Sequence, residues 1–345
     1  MEDALQETKY LIGHEKRPVF IIHPAELKKQ SSLYPPLGLA QISASLKKAG
    51  YDPQVVDLLF ETDLKKIQDL DGTNGVYILS FSTALVDRVR EIISIIRSKD
   101  KNSFIMGGGA HPTARKEKTF DDLDIDLIAL GETRIENLLD ALHNDEPFTK
   151  LSQIKGIMYK HNGTVYINEP VNEWDNLDDV PIPDQGAFPL ESYFKLKGYR
   201  ELSVVSSRGC PYRCTFCQPI LLNLFGPKVR FTSAKRVVDE IEYLVKNFKL
   251  DVIVFSDDTF AFHQQRVIDI CKEIVNRKIP VLWRCQTRVG LRKDVLEWMK
   301  KAGCFLVAFG VESGSQKIHD NVHKEATVGM ITETFKNCKE VGLLS

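Results

Sequence analysis

The sequence predicts an α/β protein in two parts, a doubly wound parallel sheet in the front half and a partial (β/α) barrel in the back half. Three observations predict it. Short β-branched apolar runs alternate with helical apolar patterns along both halves. Small polar segments follow the strands of the front half, and every strand of the back half ends in polar or thiol residues. The 345 residues suffice for two domains, or for one large α/β unit. Apolar residues make up 43% and charged residues 27%, which excludes a disordered or fibrous chain. Lys plus Arg total 46 against 47 Asp plus Glu, a net charge of −1, so there is no bulk attraction for nucleic acid or an anionic membrane. No apolar stretch approaches the roughly 18 residues of a membrane span. The start, Met1 to Tyr10, is too polar for a secretory signal. A cytoplasmic protein is expected, with no nucleic-acid or membrane partner.

In the front half, Val19–Ile22 is a short apolar run read as the first strand, and Leu39–Lys48 carries helical spacing that stops at Gly50. Val55–Val56, Val76–Leu79, Phe104–Met106 and Asp126–Leu130 read as further strands. Leu85–Arg97 and Arg134–His143 read as helices. Five strands with intervening helices make a flavodoxin-like doubly wound parallel sheet, whose ligands sit beyond the carboxyl ends of the strands. The segments landing there are small and polar: Ser80-Phe-Ser82-Thr83, Gly107-Gly108-Gly109-Ala-His111-Pro-Thr113 and Gly131-Glu132-Thr133. Consecutive glycines let a ligand approach the backbone, although a plain strand-to-helix turn explains them equally. His111, ahead of a proline, reads as a loop residue.

From about Leu151 to Tyr199 the helical pattern lapses. Gly156–Ile167 reads as a hairpin around Asn162-Gly163. Asp175–Asp179, prolines 181, 183 and 189, and Gly186 read as an ordered linker. Domains are therefore expected at 1–150 and 200–345, with the hairpin and linker at 151–199.

In the back half, Leu202–Ser206 is a strand followed by Cys210-Pro-Tyr-Arg-Cys214-Thr-Phe-Cys217. Three of the seven cysteines fall in eight residues, which reads as metal ligation in a reducing compartment. Thiolates suit iron–sulfur clusters or zinc. Three of them leave one iron of a cubane open, whereas structural zinc wants a fourth ligand. Cys271, Cys285, Cys304 and Cys338 are placed singly and read as small buried hydrophobes. Arg208 and Arg213 flank the motif and favour thiolates. Three more strands follow: Val252–Phe255, Val281–Cys285 and Phe305–Val311. They end in Ser256-Asp257-Asp258, in Gln286 and Arg288, and in Glu312-Ser313-Gly314-Ser315. Helices are read at Val267–Val275, Val295–Lys301 and Met330–Val341. Asp258 and Ser313 are good capping types, but four coinciding polar ends point to a shared cleft at the carboxyl ends of barrel strands.

Cys210-x3-Cys214-x2-Cys217 after a first barrel strand, with Phe216 within it, resembles the signature of the radical S-adenosylmethionine (SAM) enzymes. Phe255-x-Asp257-Asp258-x-Phe260, Gln286-x-Arg288 and Gly310-Val-Glu312-Ser313-Gly-Ser315 resemble the subgroup with an N-terminal cobalamin-binding domain. Pro35-Pro-Leu-Gly38, Gly107–Thr113 and Gly131-Glu132 are similar to that subgroup's front domain. The resemblance implies a [4Fe–4S] cluster on Cys210, Cys214 and Cys217, with SAM on the open iron. Reductive cleavage of SAM would then give methionine and a 5′-deoxyadenosyl radical. It implies Phe216 near the adenine, Asp257 or Asp258, Arg288 and Glu312 toward the amino, carboxylate and ribose groups, and Gln286 and Ser313 beside them. It implies cobalamin over Ser80, Ser82, Thr83, Gly107, Gly108, Gly109, Gly131 and Glu132. No catalytic residue is assigned beyond the cluster. Methyl transfer to an unactivated carbon is the expected reaction, with cyclisation or rearrangement as the alternative, on a small-molecule substrate and with an electron donor.

Two departures stand out. The Asp-x-His-x-x-Gly motif that supplies an axial histidine in some cobalamin domains is absent. The sequence also stops at Gly342–Ser345, where a fifth barrel strand is expected. A partial barrel of four βα units leaves an open parallel edge. Truncation, a degraded reading frame and completion by another chain each account for that edge. Three classes of reading follow: a radical SAM enzyme with a cobalamin domain, a cluster-binding fragment without turnover, and a zinc-stabilised α/β protein.

Overall fold

The computed structural model describes residues 17–26, 33–60, 63–72, 74–143, 147–169, 176–217 and 228–345. The polar start and Asp175 lie outside them. The chain divides into two units, Met1–Trp174 with Pro181–Tyr193, and Asp175–Val180 with Phe194–Ser345.

Among the described residues the first unit is built on seven strands: β1 Val19–His23, β2 Gln54–Asp57, β3 Val76–Ser80, β4 Phe104–Gly108, β5 Leu127–Ala129, β6 Ile157–His161 and β7 Thr164–Ile167. Their order is β2-β1-β3-β4-β5-β6-β7, with β1 to β5 parallel. This is the flavodoxin-like order that the alternating pattern predicts, and its switch point lies between β1 and β3. β1 is buried at all five positions because helices cover both faces. The helix Val86–Lys99 turns Val89, Ile92, Ile93 and Ile96 inward, against Phe20, Ile22, Leu79 and Ile105 of the sheet. Phe20 and Tyr77 stack across β1 and β3 at 4.9 Å. The hairpin, read from sequence as part of a segment between domains, instead extends this sheet: β6 pairs antiparallel with β5, and β7 with β6. Asn162 and Gly163 both adopt positive φ at its turn, as the Asn-Gly signal requires.

The second unit carries β8 Glu201–Val204, β9 Ser207–Arg208, β10 Arg230–Phe231, β11 Val252–Phe255, β12 Leu282–Thr287 and β13 Cys304–Phe309. β8, β11, β12 and β13 pair in chain order and in parallel, the connectivity of a (β/α) barrel segment. β9 and β10 form a short antiparallel ribbon. The helix Ala234–Phe248 starts at Ser233, whose side chain accepts from Arg236 N, and ends at Lys249 with positive φ. It buries Val237, Val238, Ile241 and Leu244 on one stripe. Helices Gln264–Asn276, Lys293–Lys301 and Val328–Val341 follow β11, β12 and β13. Beyond them Leu344 bridges Leu306 in parallel, with Leu344 N donating to Phe305 O at 3.1 Å and Val307 N to Leu344 O at 2.9 Å. A fifth parallel position is thus begun beside β13, at the edge the sequence reading leaves open.

At the amino end of this sheet, Glu201 is buried between Lys197 at 2.9 Å and Arg284 at 3.2 Å. Burial lowers the Lys197 pKa against the pull of Glu201. Removing the carboxylate strands a buried ammonium, so Glu201→Ala is expected to cost about 3 kcal/mol. Urea unfolding checks it; a loss under about 0.5 kcal/mol, as for an exposed pair, would contradict it.

Candidate functional site

The residues following β8 form a loop pinned along its length. Ser206 N and Ser206 Oγ donate to the buried Asp257 carboxylate at 3.2 and 2.8 Å, and Ser207 Oγ donates to it as well. Gly209 N donates to Asp258 at 3.2 Å. Arg266 donates to Ser206 O at 2.6 Å, Ser206 Oγ at 3.2 Å and Thr232 O at 2.8 Å, and lies over the Phe231 ring. Gly209 has φ 92°, and a Cβ there would meet Lys228 O at 2.9 Å, so only glycine fits. Thr215 N donates to Val322 O at 3.0 Å.

Asp257 and Asp258, expected toward a ligand's amino group, are therefore engaged with the loop. Asp257 in particular is fully buried beneath it. Burial raises both carboxyl pKa values, opposed by the Ser207 and Ser206 donors for Asp257 and by Gly209 N–H for Asp258. Asp258 caps no helix: the next one starts at Gln264, with the His263 side chain accepting from Arg266 N. Nothing in the sequence marks the Ser206–Ser207–Arg266 set, because serines and arginines are common and the partners lie about fifty to sixty positions away.

Cys210 and Cys214 are partly buried, Cys217 is exposed, and all three are free thiols. Burial pushes the Cys210 thiol up, countered by the Tyr212 N–H and Arg288. Among the described residues no three His, Cys, Asp or Glu side chains come together as ligands of a single ion. Arg288 Nη1 donates to Cys214 Sγ at 3.4 Å, and its guanidinium stacks on the Tyr212 ring at 3.7 Å. Its Nη2 is buried without a hydrogen-bond partner among the described residues. A buried orphan donor beside a cysteine loop is a place for an anionic acceptor, since leaving it unpaired costs about 1–3 kcal/mol. Three free thiols on one loop, with a cation alongside, suit a cluster with one open iron better than a four-ligand zinc site.

The other expected residues surround this loop unevenly. Phe216 is 52% exposed. Gln286 is exposed, and its backbone carbonyl accepts from Phe260 N. Glu312 has φ 64° and pairs with Lys324 at 2.8 Å. Ser313 Oγ accepts from Ser315 N, and Ser313 O from His319 Nε2 at 2.7 Å. Cys271, Cys285, Cys304 and Cys338 are buried, as single core thiols should be. Burial pushes Cys271, Cys285 and Cys338 up, which leaves them weak nucleophiles.

Glu240, buried on the helix Ala234–Phe248, has its pKa pushed up to about 7, mainly by burial and against Arg236 and Arg208. For a carboxyl group raised in the fold, the stabilising contribution is complete below the unfolded value near 4.5 and is lost as pH rises through about 7. Glu240→Gln should therefore leave stability at pH 4 nearly unchanged and raise it at pH 8 by up to about 3 kcal/mol. Melting temperatures at the two pH values test this; a variant less stable than wild type at pH 8 would contradict it.

In the first unit the small polar segments lie at the carboxyl ends of β3, β4 and β5. Ser82, Thr83 and Gly131 are exposed, Ser80 and Gly108 partly so, and Gly107 and Glu132 are buried. The three glycines are not equivalent. A Cβ at Gly107 would meet Ile125 Cδ1 at 2.9 Å, and one at Gly109, with φ 91°, would meet Ser80 Oγ at 2.7 Å. Both serve close protein packing. Gly108 has ordinary room, its nearest neighbour being Ala129 O at 3.5 Å. His111 is buried, stacks on Phe81 at 5.7 Å and has Nδ1 3.1 Å from Thr83 Oγ1; burial lowers its pKa. It is a core histidine on the helix Ala110–Arg115 rather than the loop residue its sequence context suggests, because the chain turns helical straight after Gly109.

The sequence reading missed a buried relay at the ends of β1 and β2. Tyr193 OH donates to Asp57 Oδ2 at 2.6 Å, and Asp57 Oδ1 lies 2.9 Å from His23 Nδ1. Leu59 N also donates to Asp57, at 3.0 Å. Exposed small residues beside the β1/β3 switch suit a large ligand laid across the strand ends.

A radical SAM superfamily description matches residues 204–345, and a B12 binding domain description matches residues 28–139. An uncharacterized methyltransferase, PH0819, from Pyrococcus horikoshii is 33% identical over 317 residues, covering 90% of this chain and 67% of that protein. The chain belongs to the radical SAM superfamily, in the group that carries a B12-binding domain. The anaerobic magnesium-protoporphyrin IX monomethyl ester cyclase of Rubrivivax gelatinosus is 26% identical, over 95% of this chain and 61% of that one. The fold is similar to that of the radical SAM methyltransferase TsrM from Kitasatospora setae, with TM-score 0.76 and 16% identity over 96% of this chain and 66% of that one. The chain spans about two thirds or less of the length of these relatives. Among the described residues no helix is long and apolar enough to cross a membrane.

Proposed function

We propose that this chain is a cobalamin-dependent radical SAM enzyme that transfers a methyl group to an unactivated carbon of a small molecule. Residues 1–150 hold cobalamin, residues 151–199 add the hairpin to their sheet and lead on to the second domain, and residues 200–345 hold a [4Fe–4S] cluster on Cys210, Cys214 and Cys217, with SAM beside it. The observation that carries this is Arg288, whose Nη1 donates to Cys214 and whose buried Nη2 has no partner among the described residues and suits the SAM carboxylate. When bound, the reduced cluster supplies the electron for SAM cleavage, and cobalamin carries the methyl group.

The chain's own residues do the positioning. Asp257, Asp258 and Arg266 hold the cysteine loop, Arg288 anchors the carboxylate and steadies Cys214, and Glu312 reads the ribose beside Phe216. Gln286 and Ser313 line the same end. Ser80, Ser82, Thr83, Gly108, Gly131 and Glu132 form the cobalamin surface, and Gly107 and Gly109 shape the strand ends beneath it. The cluster needs a reducing compartment and an electron donor, in keeping with a cytoplasmic location. The parallel position begun by Leu344 is where a further strand, from this or another chain, would continue the barrel. Similarity to a cyclase favours ring closure as the second reading.

The test is 5′-deoxyadenosine formation by anaerobically reconstituted protein given SAM and a strong reductant. Product well above a Cys214→Ala control is expected. No product from iron-loaded protein would sink the catalytic reading and leave a cluster-binding chain.

A further inference from the structure

The ion pair between Lys324 and Glu312 is built in a way that neither a surface contact nor a core residue requires. Lys324 is buried, although it sits between exposed His323 and Glu325. Both of those neighbours have φ 52°, and Glu312 has φ 64°. Non-glycine residues rarely adopt this conformation, and three around one ion pair mark a backbone held against its preference. The positive-φ residues at 323 and 325 bring the lysine inward. Lys324 Nζ donates to Glu312 Oε1 at 2.8 Å and lies 5.5 Å from the centre of the Phe216 ring. Gly310 makes room for the pair, since a Cβ there would meet Lys324 Nζ at 2.9 Å and Glu312 Oε1 at 3.0 Å. The same segment grips the cysteine loop through Val322 O, which accepts from Thr215 N. One buried cation thus contacts both Glu312 and the aromatic residue of the cysteine loop.

We propose that Lys324 is a positioning residue for the nucleoside end of SAM: it orients the Glu312 carboxylate and fixes the Phe216 ring. The inference rests on the SAM reading above. A carboxylate held in one orientation by its ion pair presents its acceptor oxygens to the hydroxyls of a vicinal diol. A structural lysine would leave ligand affinity alone once the fold had formed. A positioning lysine couples to Glu312 in binding.

The experiment measures SAM dissociation constants, with iron content alongside, for reconstituted wild type, Glu312→Gln, Lys324→Met, Lys324→Arg and the Glu312→Gln/Lys324→Met double variant. Lys324→Met is expected to keep its iron and to weaken SAM binding at least tenfold. Lys324→Arg should recover to within about threefold of wild type. The double variant should bind within twofold of the weaker single one, because the two residues act as one unit. Lys324→Gln gives a second reading if the Met variant takes up no iron. Wild-type affinity in iron-loaded Lys324→Met, fully additive losses, or loss of iron in both the Met and Gln variants would overturn the proposal. Iron-loaded wild type that binds no SAM would overturn the SAM reading itself, and this inference with it.

Discussion

Replacing Cys214 by alanine is expected to abolish cluster assembly. Anaerobically reconstituted wild type should hold about four irons per chain, and Cys214→Ala should hold well under one. The expectation follows from the donor set: with three thiolates for three irons, loss of one leaves an iron with no protein ligand. Arg288, which donates to Cys214 Sγ, cannot substitute because a guanidinium offers no lone pair. Cys338→Ala is the matched control. Its thiol is buried in the core, so iron content should stay at the wild-type level. Full iron in Cys214→Ala, or equal loss in both variants, would contradict the ligand assignment.

Arg288→Met should produce two effects of different kind. Affinity for SAM should fall by about ten- to a hundredfold, because a hydrogen bond to a charged group contributes about 1.5–3 kcal/mol. Without SAM, the variant should lose little stability. The missing stacking on Tyr212, about 0.5–1 kcal/mol, is offset by relief of the buried Nη2, which has no partner among the described residues. Iron content should be retained. Titration calorimetry and thermal melts check both halves; unchanged affinity in an iron-loaded, folded variant would contradict the carboxylate assignment.

The fold was legible where one period dominated. Val89, Ile92, Ile93 and Ile96 define their helix without ambiguity, and β11 is Val252–Phe255 as read. Short elements were not legible: the ribbon of β9 and β10 has two residues on each side, too few for any periodicity. Asn162-Gly163 marks the hairpin in the sequence, but its attachment to β5 depends on pairing partners that local sequence does not name. The cysteines could be recognised because their chemistry and spacing lie within eight residues. The sequence places Asp257 at a ligand-facing strand end, yet its oxygens go to Ser206 and Ser207; a carboxylate at a strand end carries no mark of which way it is used. Lys324 was invisible for the same reason. Its importance comes from φ values and from partners 12 and 108 positions away, which only the folded chain brings together.

The central claim is that the cysteine loop holds a cluster whose open iron takes SAM beside Arg288. Electron paramagnetic resonance of the reduced, reconstituted protein, recorded with and without SAM, tests it most directly. A [4Fe–4S] signal is expected that shifts when SAM is added and that shifts much less in Arg288→Met at the same SAM concentration. A fully loaded cluster whose signal SAM leaves unmoved would contradict it.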